Sequence, residues 1–129
     1  MIAVDTSALM AVLLREPAAD TCRAVLEEAD ELIISAGTLA EALIVAGHRN
    51  IAEEMAALVE GLAVTVVAVT PAAARRVADA YARWGKGRHA AALNFGDCFA
   101  YDLAKEHDCP LLFVGDDFSR TDLRPALER

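Results

Sequence analysis

A chain of 129 residues, 56% of them hydrophobic, has the length of one domain and enough apolar material for a sizeable core, which excludes a disordered or low-complexity protein. Its net charge of −8 excludes a nucleic-acid coat that works by blanket neutralisation of phosphates, and leaves room for a metal site or a local basic patch.

The short apolar run Ile2 to Val4 reads as a buried strand, with Asp5 where that strand ends and a helix begins. Ser7 to Leu14 reads as a short apolar helix, and Pro17 opens a second, amphipathic one running to about Ala29. Leu32 to Ile34 is a second buried strand. Ser35 and Thr38 offer caps for a helix from about Ala36 to Ala46, closed near Gly47, and another helix spans about Ile51 to Glu60. Val64 to Val69, rich in β-branched residues, is a third strand, and Pro71 starts a helix that reaches about Trp84. Gly85 to Asn94 reads as a loop, Asp97 to His107 as a helix and Leu111 to Val114 as a fourth strand. From Asp116 the chain has turn chemistry, and Leu123 to Leu127 is open between a last short strand and irregular chain. Strands alternating with helices predict an α/β fold. The expectation is a single domain over 1–129 with a central parallel sheet of four to five strands and helices on both faces.

Cys22, Cys98 and Cys109 are odd in number and share no metal-ligand or redox spacing, so reduced core thiols are expected. No basic segment precedes an apolar run at the N-terminus, and no eighteen apolar residues follow one another. A soluble cytoplasmic protein with no membrane partner is therefore expected.

Four carboxylates stand in apolar surroundings. Asp5 follows the first strand; taken alone it could be an N-cap and nothing more. Glu41 is the one charge in Leu39 to Ala46, a helix apolar nearly all round and so expected to be buried; an unpaired carboxylate there costs several kcal/mol. Asp97 lies among Phe95, Gly96, Cys98 and Phe99 at a helix start, where capping is its simpler use, whereas Asp102 reads as a solvated helix residue. Asp116 and Asp117 follow the strand LLFV and Gly115, and as adjacent acids could simply make a turn. Together the four positions converge on the carboxyl edge of the sheet, where ligands bind in such folds. Clustered carboxylates repel one another unless a cation holds them, and all-oxygen ligation suits Mg²⁺ or Mn²⁺.

The ordered set IAVDTSAL, SAGTLAEA, NFGDCFAYDLA and LLFVGDDF, running from Met1 to about Leu127, resembles the PIN-domain ribonucleases and, more closely, the VapC toxins of bacterial toxin–antitoxin pairs. The resemblance implies that Asp5, Glu41 and Asp97 are catalytic and metal-binding members of an acidic quartet, Asp5 and Asp97 foremost. Thr6 and Ser7 would steady the site through hydroxyl hydrogen bonds, and Thr38 would do so from one turn before Glu41. Many relatives carry Asp or Asn directly after the last strand, where this chain has Gly115. The fourth role thus falls to Asp116 or Asp117, with the place before Phe118 favouring Asp117. The implied activity is Mg²⁺- or Mn²⁺-dependent hydrolysis of RNA phosphodiesters, leaving 5′-phosphate and 3′-hydroxyl ends. The implied partners are a VapB-type antitoxin, whose tail wraps the toxin, and a second copy in a homodimer. The apolar stretches Ala8 to Leu14 and Ala40 to Ala46 are candidates for lining either contact. The alternative is a catalytically inactive PIN-fold module for binding or dimerisation.

RNA binding must be reconciled with an acidic chain. Between Pro71 and Ala92, five cations (Arg75, Arg76, Arg83, Lys86, Arg88) face one acid, Asp79, a local charge of +4 that leaves −12 for the remainder. RNA is expected along this stretch, with Arg83, Lys86 and Arg88 on phosphates and Trp84 stacking on a base, unless Trp84 faces the core. Other folds that open on a strand and an acid fit less well. A haloacid-dehalogenase phosphatase wants a second Asp where Ser7 stands, and a Rossmann dinucleotide site wants a glycine-rich turn that DTSAL lacks.

Overall fold

The computed structural model describes residues 1–127. The chain runs β1 (Ile2–Val4), α1 (Thr6–Leu13), α2 (Ala19–Glu28), β2 (Leu32–Ser35), α3 (Ala36–His48), α4 (Ala52–Gly61), β3 (Thr65–Val67), α5 (Pro71–Trp84), α6 (Phe95–Glu106) and β4 (Leu111–Leu112). The four strands form one parallel sheet in the order β3-β2-β1-β4. Alternate strand residues face opposite ways, so the sheet divides the apolar side chains into two cores. Ala3, Ile33 and Leu111 point to the face covered by α5 and α6, where Val77, Trp84, Leu93, Tyr101 and Phe118 are buried. Val4, Ile34 and Leu112 point to the other, under α1 to α4, with Leu9, Cys22, Ala42 and Met55. Coverage on both faces is what a parallel sheet of such apolar strands requires.

Helix starts follow local chemistry. Asp5, Ser35, Thr70 and Asn94 cap α1, α3, α5 and α6 through their side-chain oxygens, and Pro71 takes the first helical position of α5. Thr38 is not a cap: it lies inside α3, fully buried. The third and fourth strands are shorter than their composition suggests, for two reasons. β3 is an edge strand paired only with β2, and its ladder stops where Ser35 turns into α3. β4 runs beside β1, which ends at Val4, and beyond it the Val114 amide donates to the Ser7 hydroxyl at 2.9 Å instead of to a strand. Near the tail, Pro125 makes a parallel bridge to Leu111, which settles the segment 123–127 as a single bridge, not a full strand. No helix among the described residues is long and apolar enough to cross a membrane.

Two expectations are corrected here. The apolar helix α3 is not buried all round: Leu43 and Ile44 are exposed, Ile44 to 61%, and only Thr38, Ala42 and Ala46 are fully inside. Conversely α1 buries Ala8 through Val12 under α2, α3 and α4, so the stretch from Ala8 is core and does not line a surface groove.

Candidate active site

Asp5 ends β1 and caps α1, and its two oxygens divide the work. Oδ2 accepts from the Ser7 amide at 3.1 Å and from the Ser7 hydroxyl at 2.6 Å. Oδ1 is buried and takes no hydrogen bond. The capping reading of this residue therefore holds, through one oxygen, and the other oxygen is left without a hydrogen-bond partner. Ser7 in turn accepts from Val114 N–H, so a single hydroxyl joins Asp5 to the chain just before Gly115 to Asp117.

Glu41 comes from α3, where its Oε1 accepts from the Thr6 hydroxyl at 2.7 Å. The same hydroxyl lies 3.4 Å from the Thr38 carbonyl. Thr38 thus supplies a backbone oxygen, and its own hydroxyl, buried, has no hydrogen-bond partner. Gly96 packs directly under Glu41: a Cβ built there would collide with the carboxylate. Gly37 has the same relation to the Phe99 ring.

Asp97 is the third residue of α6, not its first. It forms a capping box with Asn94, whose side chain accepts from Asp97 N–H at 2.8 Å while Asp97 Oδ2 accepts from Asn94 N–H at 3.0 Å. Burial pushes the Asp97 carboxyl up to about 7, the Asn94 amide pulls the other way, and the charges of Asp5, Asp117 and Glu41 add to the rise. Burial pushes Asp5 up to about 6, held back by the Ser7 hydrogen bonds and helped by Glu41. Asp5, Glu41 and Asp117 thus lie near enough to Asp97 for their charges to act on its carboxyl, at the carboxyl edge of the sheet. Asp116 and Asp117 are both exposed, in a turn where the Ser119 amide and hydroxyl donate to the Asp116 carbonyl at 3.2 and 2.7 Å.

The remaining candidates divide. Arg83, Lys86 and Arg88 are exposed, the last two on the loop that a Gly85–Leu93 bridge closes just before Asn94. Of the two alternatives for Trp84, stacking on a base or facing the core, the second is the one observed. Trp84 is 8% exposed, its Nε1 donates to the Tyr101 hydroxyl at 2.9 Å, and the Arg83 guanidinium lies 4.5 Å from its ring centre. Asp102 is corrected. It is buried and accepts from Arg76 at 2.7 Å, because its turn of α6 faces α5 and not solvent. Sequence reasoning missed Asn94, Gly96 and Gly37. The Asn-x-x-Asp spacing of a capping box was the available signal for the first, while glycines inside helical segments signal a close approach without naming the partner.

The site fits a hard divalent cation by donor chemistry. All four groups are carboxylates, and one buried oxygen of Asp5 lacks any hydrogen-bond donor. Among the described residues no three acid, histidine or cysteine side chains close into a ready-made metal cluster. Beside Glu41 lies an apolar hollow of about 340 Å³ bounded by Ala40, Ile44, Val45, Phe95 and Phe99, with Phe95 exposed to 70%.

The PIN domain family model matches residues 2–123. VapC ribonuclease Mb0640 of Mycobacterium bovis is 43% identical over 124 residues, covering 93% of this chain and 94% of that protein. Ribonuclease VapC36 of Mycobacterium tuberculosis is 46% identical over 127 residues, covering 93% and 89%. Among solved structures, the crystal structure of Mycobacterium tuberculosis VapC20, a Sarcin-Ricin loop cleaving toxin, superposes with a TM-score of 0.76 at 20% identity, covering 97% of this chain and 100% of that one, and so shares the fold. With the family model spanning nearly the whole chain and relatives above 40% identity over its length, the protein belongs to the PIN-domain family and, within it, to the VapC ribonucleases.

Proposed function

We propose that this chain is a divalent-metal-dependent endoribonuclease toxin that a VapB-type antitoxin neutralises. The observation that carries the reading is the gathering of Asp5, Glu41, Asp97 and Asp117 around one another, with a buried oxygen of Asp5 left without a donor. Asp5 and Asp97 would hold the ion, with Glu41 beside them and Asp117 as the fourth acid. A bound Mg²⁺ or Mn²⁺ would polarise the scissile phosphate, acidify the attacking water and stabilise the leaving oxygen. The chain's own part is to orient and to move a proton. Ser7 and Thr6 hold the carboxylates of Asp5 and Glu41 in place, the set accepts a proton from water, and exposed Arg83, Lys86 and Arg88 meet phosphates. The apolar face of Leu43, Ile44, Phe95 and Phe99 beside Glu41 supports an antitoxin segment or a second copy seated next to the acids.

The test is cleavage of a small-RNA pool by purified, antitoxin-free protein with Mg²⁺, with Mn²⁺ and with chelator, alongside the Asp97→Asn variant. Metal-dependent cuts at a few discrete positions, absent from the variant, are expected. Folded, monodisperse protein that cuts no more than the variant would replace this reading with the inactive binding module.

A further inference from the structure

The acids differ in how they are held. Asp5 and Asp97 are fixed by helix caps, but Asp117 lies on irregular chain after β4. That chain is bonded within itself: Ser119 donates to the Asp116 carbonyl, and the Thr121 amide and hydroxyl donate to the Phe118 carbonyl at 3.1 and 2.7 Å. Residues 116–121 are therefore tied together as one compact turn. Phe118 sets its depth, buried against Phe113 with ring centres 5.1 Å apart. A further attachment, just after the turn, bears on its orientation.

Asp122, the next residue, is that attachment. Its Oδ1 accepts from the Tyr101 hydroxyl at 2.7 Å and its Oδ2 pairs with Lys105 at 3.2 Å. Tyr101 is buried and lies one helical turn after Asp97, on the same face of α6. Its oxygen also accepts from Trp84 Nε1 at 2.9 Å. An indole N–H can only donate, so the phenolic oxygen must accept there and give its own proton to Asp122. The hydroxyl has one orientation, and its bond to the carboxylate is of the short, charge-assisted kind. Arg120, inside the same turn, donates to the Ala90 carbonyl at 3.2 Å and so carries the attachment on to the basic loop 85–93.

We propose that Tyr101 is a positioning residue: its hydroxyl, oriented by the Trp84 indole, moors the turn 116–121 through Asp122 and so sets the Asp117 carboxylate against Asp97. The inference rests on the nuclease reading only for its effect on catalysis, since the mooring itself is measurable without metal or RNA.

The test uses Tyr101→Phe, which keeps the buried ring and removes the hydroxyl, and Asp122→Asn, which leaves every core side chain in place and removes the charge that Tyr101 and Lys105 meet. Amide hydrogen exchange of metal-free protein is expected to quicken about tenfold at residues 115–122 in both variants, with α1 to α4 unchanged. Cleavage should fall about tenfold in kcat in Tyr101→Phe, yet change less than about twofold when Tyr101→Phe is added to Asp117→Asn, because both then act through one group. Exchange at 115–122 within about twofold of wild type in both variants overturns the mooring. Effects of Tyr101→Phe and Asp117→Asn that multiply in full overturn the link to Asp117. Wild-type protein that cuts no RNA would instead refute the nuclease reading, and the exchange result would still decide whether Tyr101 moors the turn.

Discussion

Asp5 caps α1 with one carboxylate oxygen and leaves the other without a hydrogen-bond partner, and under the proposed function this division makes opposite predictions for stability and activity. Asparagine is as good an N-cap as aspartate, and it carries no charge into a buried site where the carboxyl is pushed up to about 6. Asp5→Asn is expected to unfold at a temperature equal to or above that of metal-free wild type at pH 7.5, by thermal denaturation. RNA cleavage should drop at least about a hundredfold, the scale on which losing one preorganised charge acts. Gly96 makes a second case. Gly96→Ala drives a methyl group into the end of the Glu41 side chain, which has to swing aside, so cleavage is expected to fall while a denaturant titration shows little loss of stability. The acid-bearing motifs were legible in the sequence because each carboxylate interrupts an apolar run. The glycine beneath Glu41 was not, because its partner lies 55 residues earlier in the chain.

Among the elements, α5 and α6 were read correctly as helices and incorrectly in their facing. Helical periodicity locates an apolar stripe but does not say whether a charged residue at its margin meets water or another helix. Asp102 meets Arg76 across the α5–α6 contact at 2.7 Å, and Glu106 adds a longer contact at 3.4 Å. Arg76→Ala would leave Asp102 buried without its cation. With the guanidinium itself solvated, a modest loss of stability is expected, seen as a fall in Tm. An unchanged Tm would mean that water replaces the guanidinium without cost. For Trp84, adjacent cations in sequence suggested an RNA surface, yet its indole caps the core and its N–H is committed to Tyr101. α3 erred the other way. Its Leu43 and Ile44, like Phe95, are apolar side chains left exposed outside the core of this chain.

Over the whole molecule, the acidic site makes stability depend on pH. Asp5 at about 6 and Asp97 at about 7 both stand above the ordinary carboxylate value of about 4. Between pH 4 and 7 the folded protein therefore holds protons that the unfolded chain has released, and metal-free stability falls as pH rises through that window, by a few kcal/mol at most. Asp122 acts oppositely. Burial raises it, but the Tyr101 hydroxyl and Lys105 outweigh burial and hold it below its usual value, so its contribution is lost only in stronger acid. A Tm measured in chelator should thus peak near pH 4–5 and decline toward pH 8. If these acids bind a cation, millimolar Mn²⁺ at pH 8 should recover the loss in wild type and not in Asp97→Asn. A flat profile in chelator would mean that the carboxylates are solvated and not clustered.

The alternation of apolar strands with helices, the caps Asp5, Ser35, Thr70 and Asn94, and the order of the acidic motifs are local features, set by neighbours a few residues apart. The sequence by itself was enough to determine the α/β class, nearly every element and the family. Tertiary structure alone decided which face each helix turns inward, and with it the fates of Trp84, Asp102, Leu43 and Ile44. It also decided that Ser7 bonds Val114 across 107 residues and that Tyr101 bonds Asp122 across 21. Periodicity carries the pitch of an element but not its rotation about its own axis. That rotation is settled only when all the elements pack, and long-range hydrogen bonds exist only once it is settled.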